Sequence, residues 1–142
     1  MPVIELVTEI NADRLLVFNL ARSINLHMAS TEHTNEVAIA GRTSGLIELN
    51  ESVTWRAKHL GIYQNLSSKI TAFDLPNFFV DEMVQGAFKR FRHLHSFEET
   101  QRGTRLKDHF DYDSPLGILG KITDKLFLKK YNGLAGKKEC RD

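Results

Sequence analysis

The sequence predicts an α+β domain in which a curved antiparallel sheet wraps around a long C-terminal helix. Three observations point there. Residues 34–112 run in short alternating stretches separated by turn residues, the pattern of a meandering antiparallel sheet. After DYDSPLG the apolar spacing lengthens to the helical period of about 3.6, with Ile118, Leu119, Ile122, Leu126 and Phe127 marking one side over several turns. The chain has 142 residues, 42% of them hydrophobic and 26% charged, which fits one folded unit with one core.

Taken in order, residues 3–10 (VIELVTEI) alternate as a strand whose apolar line is Ile4, Leu6 and Ile10. Asn11 is placed to accept hydrogen bonds at a helix start, and Asp13 suits the positive end of its first turn. The helix ADRLLVFNLARS should bury Leu16 and Leu20 together with Phe18 or Ala21, and INLHMA follows as a short second helix or an irregular turn. Strands are expected near 36–40, 46–49, 52–59, 66–73, 78–85, 88–97 and 103–112. Leu75-Pro76-Asn77 and Gln85-Gly86-Ala87 interrupt them, because Pro lacks an amide donor and Gly tolerates turn angles closed to other residues. Pro115 fits the first turn of the final helix, and Gly117 and Gly120 let it begin close to the sheet; no P-loop signature accompanies these glycines. Lys121, Lys125 and Lys129 share the helix's solvated side, and the tail 137–142 is expected to fray.

Composition narrows the function classes. Nineteen Lys+Arg against eighteen Asp+Glu leave a net charge of +1, so whole-molecule attraction to nucleic acid or anionic lipid is weak. Lys89, Arg90 and Arg92 alternate with Phe88 and Phe91, but a strand divides these residues between its two faces, and Glu98 and Glu99 follow closely; a solvated strand is expected, with no nucleic-acid partner. The single Cys140 excludes an internal disulfide, a zinc ribbon and a cysteine-ligated iron-sulfur cluster. Glu5 and Glu9 interrupt any secretory segment, and no stretch is long enough to span a bilayer, so a cytoplasmic protein without stable membrane insertion is expected. A free sheet edge or the final helix leaves room for a homodimer or a protein partner.

The chemistry-bearing residues fall on strand faces. In FKRFRHLHSF the odd line carries Phe91, His93, His95 and Phe97; in GTRLKDHFDY the even line carries Thr104, Leu106, Asp108, Phe110 and Tyr112. If Asp108 lies inside with Leu106 and Phe110, its carboxylate needs a partner, and a histidine on the neighbouring strand would supply one. SVTWRAKHLG places Val53, Trp55, Ala57 and His59 on one face, an indole wall beside a polar ring. Together these predict a largely apolar cavity with a few oriented polar groups, the composition that holds small organic or lipid-like molecules. Each residue also has an ordinary structural role: Trp55 as core, and His59, His93, His95 and Asp108 as hydrogen-bonding groups. The His-x-His pair resembles the beginning of a metal site, with His59 and Asp108 as conceivable additions. With no HExxH and no further local ligand, neither a metal nor another cofactor is expected.

The segments SVTWRAKHLGI, KITAFDLPNFFVDEMVQGAFKRFRHLHSFEE and GTRLKDHFDYDSPLGILG resemble the bacterial SRPBCC, or START-like, proteins grouped near the polyketide cyclase/dehydrase and coenzyme-Q-binding branches. The resemblance implies a helix-grip fold over residues 1–136, with two smaller helices between the first and second strands. It also implies that a hydrophobic molecule is held between sheet and helix, and it puts Trp55, His59, His93, His95 and Asp108 in the distinctive strand motifs.

The resulting expectation is a noncatalytic protein that binds or carries a small hydrophobic ligand: a lipid, a quinone, or an aromatic or polyketide-like compound. Trp55, Phe91, Leu106 and Phe110 would shape its pocket, Ile122 and Leu126 would close the helix side, and His59, His93 or His95 would orient a polar ligand group, with Asp108 among them. The alternatives are a cyclase, dehydratase or hydrolase using His and Asp in the same cavity, and a stress-response or protein-interaction module.

Overall fold

The computed structural model describes residues 3–30, 36–59, 61–86, 90–113 and 137–141, with backbone alone for His59 and for 137–141. The final helix expected from sequence, with Ile118, Leu119, Ile122 and Leu126, lies outside the described residues. Strand β1 (Val3–Ile10) leads through α1 (Arg14–Ala21) and α2 (Ile24–Ser30) into β2 (Val37–Gly41), β3 (Ser52–His59), β4 (Ile62–Asp74), β5 (Phe78–Gln85), β6 (Arg90–Thr100), β7 (Gly103–Asp113) and β8 (Lys137–Arg141). They form one sheet in the order β2-β3-β4-β5-β6-β7-β1-β8, with every neighbouring pair antiparallel. Among the described residues no helix is long and apolar enough to cross a membrane.

The expected alternation is realised residue by residue on the two central strands. Phe91, His93, His95 and Phe97 of β6 are buried, as are Thr104, Leu106, Asp108, Phe110 and Tyr112 of β7. Irregular pairing between Ser67 and Ser68 and between Ile70 and Ala72 breaks the long β4 ladder; such bulges bend a strand and increase its twist. At the β6–β7 turn, Gly103 has φ of 149°, and a side chain there would meet the Ile10 carbonyl oxygen at 2.3 Å. The next residue, Thr104, donates its hydroxyl to the Ala12 carbonyl at 2.8 Å, joining this turn to the end of β1.

Four local expectations are corrected. The cap of α1 is Asp13, whose carboxylate accepts from the Leu16 amide, so the helix starts later than a cap at Asn11 would set it. That phase turns Val17 and Phe18 inward, whereas Leu16 and Leu20 are 51% and 42% exposed. Residues 46–49 form no strand: Ile47 donates its amide to Arg22, Ile24 donates to Gly45, and the segment docks on the junction of the helices with Ile47 buried. Residues 137–141 pair with β1, setting Lys137 opposite Glu9 and Arg141 opposite Glu5; the edge of β1 offers the amides and carbonyls that hold them.

Phe18 is the centre of the main core. It has no exposed surface, and its ring lies 5.3 Å from Phe73, 5.3 Å from Phe79 and 4.9 Å from Phe97. Leu6, Val17, Ile24, Ile47, Val53, Trp55, Ile70 and Leu106 complete the cluster. Urea denaturation is expected to show Phe18→Ala losing about 3–5 kcal/mol through the cavity it leaves. Leu16→Ala, on the exposed side of the same helix, is expected to stay within about 1 kcal/mol.

Candidate functional site

The register of β5, β6, β7 and β1 assembles the site. One row across the sheet is Phe79, His95, Asp108 and Leu6; the next is Asp81, His93, Phe110 and Ile4. Because side chains alternate between faces along each strand, these two rows stand side by side on one face. The result is a small group of titratable side chains inside an otherwise apolar wall.

Asp108 is its hub. One carboxylate oxygen, Oδ1, lies 2.9 Å from Nε2 of His93 and 2.9 Å from Nδ1 of His95. The far nitrogen of His95, Nε2, lies 3.3 Å from Oδ2 of Asp81. The two imidazoles stack with centroids 3.7 Å apart, Phe79 stacks on His95 at 4.3 Å, and Phe110 meets His93 edge-on at 5.3 Å. Among the described residues the second oxygen of Asp108, Oδ2, is buried without a hydrogen-bond partner, as is the hydroxyl of Thr8 on the adjacent strand.

Electrostatics separates the two rings. Burial lowers the pKa of His93 to about 4, repulsion from His95 acts in the same direction, and Asp108 opposes both. Burial also acts to lower His95, but its contacts with Asp108 and Asp81 outweigh that effect and leave its pKa raised. For Asp108 burial acts upward, yet hydrogen bonds from both imidazoles hold its carboxyl well below the usual carboxylate range. At neutral pH the group therefore holds a neutral His93 beside an ionised Asp108.

Around this cluster, Phe91, Phe110 and Tyr112 form a second apolar group, joined by Ile4, Leu66 and Met83. Phe91, His93, His95, Asp108 and Phe110 thus come together as their alternation predicts. Trp55 and Leu106 instead belong to the core cluster around Phe18, and the Trp55 ring lies tilted with its centroid 4.0 Å from that of His27 of α2, which is bonded to Glu36. Backbone pairing sets His59 opposite Ile62. The helix-side residues Ile122 and Leu126 lie outside the described residues. Arg90, read from sequence as part of a basic run, is paired with Asp111 and Asp113.

Sequence reasoning missed Asp81, Thr8 and His27. Asp81 did carry a signal: in FFVDEMVQ it occupies the line of Phe79 and Met83, just as Asp108 stands between Leu106 and Phe110. Thr8 likewise shares the line of Leu6 and Ile10. His27 had no such signal, since its contact with Trp55 joins a helix to a strand and follows no local period. Asp81, His93 and His95 each place a possible metal-ligating atom within 4.8 Å of the others.

No family model matches the sequence, and no curated protein matches it. Solved structures do resemble it. Protein TTHA0849 from Thermus thermophilus is 19% identical, with 94% of this chain and 91% of that one covered at a TM-score of 0.70. Ginseng major latex-like protein 151 from Panax ginseng is 13% identical, with 94% of each chain covered at 0.69. Protein CV1439 from Chromobacterium violaceum is 9% identical, with 95% and 96% covered at 0.76. At these identities the likeness establishes the fold, which is the START-like helix grip.

The buried cluster generates two predictions. Asp108→Leu alone strands two buried imidazoles and is expected to cost about 3–5 kcal/mol in urea denaturation, whereas adding His93→Leu and His95→Leu recovers much of that loss. The second concerns pH. His93 has a folded pKa of about 4 against an ordinary 6.5, so as pH falls between these values the unfolded chain takes up the proton first and stability declines. His95, being raised, gives the opposite limb: its contribution is present below 6.5 and lost as pH rises through its folded value. Urea midpoints should fall from pH 6.5 towards 4, and less steeply in His93→Gln.

Proposed function

We propose that the chain binds a small hydrophobic molecule that carries a hydroxyl or phenolic group. The observation that supports this reading best is the buried Oδ2 of Asp108, an acceptor without a partner among the described residues, on a face that also carries Phe91, Phe110, Tyr112 and Leu6. Leaving such an atom unsatisfied costs roughly 1–3 kcal/mol, and a ligand hydroxyl donated to it removes that cost. The same negative charge repels a carboxylate, which favours quinols, phenolic polyketide-like compounds and neutral lipids over fatty-acid anions.

In this reading Phe91 and Phe110 contact the apolar body of the ligand, and His93 with His95 holds the accepting carboxylate in place. Trp55 and Leu106 support the wall from the core side. The helix-grip fold is consistent with such a cavity, although fold by itself assigns no ligand. A second reading, acid/base catalysis as a cyclase, dehydratase or hydrolase, draws on the hydrogen bond between His93 and Asp108.

Native and denaturing mass spectra of the gently purified protein, followed by identification of any mass lost on denaturation, test the binding reading directly. An organic adduct, or saturable displacement of a fluorescent apolar probe by a quinol in preference to a fatty-acid anion, is expected. Phe110→Ala should weaken that binding about tenfold or more if the ring contributes an ordinary buried apolar contact. Neither adduct nor displacement across quinols, phenols and neutral lipids would overturn it. Turnover of a bound compound that disappears in His93→Gln, with binding retained, would move the assignment to the catalytic reading.

A further inference from the structure

We propose that Asp81, His93 and His95 form a site for one divalent transition-metal ion, with Asp108 orienting both imidazoles from behind. The three side chains come from adjacent strands β5 and β6, and one potential ligand atom from each lies within 4.8 Å of the other two. Regular strand backbone positions all three, which is the setting in which ligand directions are held best. The proposal stands apart from the hydrophobic-ligand reading, since it concerns binding of the ion with no organic molecule present.

The arrangement around the histidines is what metal ligation requires of a histidine's far side. An imidazole has two nitrogens, and a ligating ring ordinarily gives its other N–H to a carboxylate, which fixes its tautomer and orientation. Asp108 Oδ1 takes one ring nitrogen from each histidine, Nε2 of His93 and Nδ1 of His95, at 2.9 Å in both cases. For His95 this leaves Nε2 on the side of Asp81. On His95 that nitrogen faces Oδ2 of Asp81 at 3.3 Å, long for a charge-assisted hydrogen bond, and an ion between them would replace one weak contact with two coordination bonds.

The donor set also selects the ion. Two imidazoles and one carboxylate suit zinc, iron(II) or cobalt(II), whereas calcium and magnesium favour oxygen ligands and keep more water. Phe79 and Phe110 pack against the two rings and lower the local polarity. The Asp81 side chain retains 21% exposure, against 2% for His95, so the ion reaches the site from the Asp81 side. Three protein ligands leave positions open for water or for a substrate oxygen.

The test uses the full chain, treated with chelator and dialysed, then titrated with zinc chloride by calorimetry and with cobalt(II) by absorbance. One ion per chain is expected, with the intense visible bands of low-coordinate cobalt(II) and no competition from excess magnesium. Asp81→Asn should weaken zinc binding by about tenfold or more, while His109→Gln, at an exposed histidine outside the cluster, should leave it unchanged. Circular dichroism checks that each variant folds. Should Asp81→Asn misfold, paramagnetic shifts of the His93 and His95 ring resonances on adding cobalt(II) to the unaltered protein provide the second measurement. No saturable binding, unchanged affinity in folded Asp81→Asn, or shifts confined to other histidines would each overturn the proposal.

Discussion

Everything on the inner face is arranged around one buried negative charge. A carboxylate without solvent is tolerated only when donors surround it, and the donors to Asp108 come from His93 and His95 on a different strand. Moving β7 by one residue against β6 would turn Asp108 to the opposite face and bring Lys107 or His109 inward. The hydrogen bonds therefore do more than neutralise a charge. They make the correct strand register the one in which the charge has partners.

That constraint divides the sheet into two regions. Around Phe18 the side chains are apolar and aromatic rings meet at close range, so this end resembles an ordinary core held by α1 and α2. Beyond Leu106 the same strands carry His95 with Asp108 in one row and His93 with Phe110 in the next, before the pair Phe91 and Tyr112. The larger apolar cluster lies at one end, and the other holds groups that an all-apolar core would exclude. Buried polar clusters of this kind are more informative about use than about folding.

Much of this was visible in the order of residues because a strand has a period of two. Alternation alone put Phe91, His93, His95 and Phe97 together, and it put Asp108 between Leu106 and Phe110. What alternation does not contain is the lateral offset of one strand from the next, and so it could not show that Asp81 meets His95. It also failed in part at α1, where Leu16 and Leu20 look like an inner face alongside Phe18. The Asp13 cap sets the helix phase, and of these the core accepts only Phe18. The docking of Ile47 on the helix junction depends on amides of Ile47 and Ile24 that no local pattern distinguishes.

The position of β1 has a consequence for how the domain comes into being. This strand lies between β7 and β8, both far along the chain from it, and Thr104 fastens the β6–β7 turn to Ala12. During synthesis the first strand therefore waits, without either neighbour, while the meander from β2 to β6 can already pair hairpin by hairpin. Arrival of β7 brings Asp108 to the two histidines and Leu106 to Thr8 in the same event. The chemical centre and the docking of β1 on the meander are thus completed together, so a nascent chain stalled before β7 would have its histidines but no site.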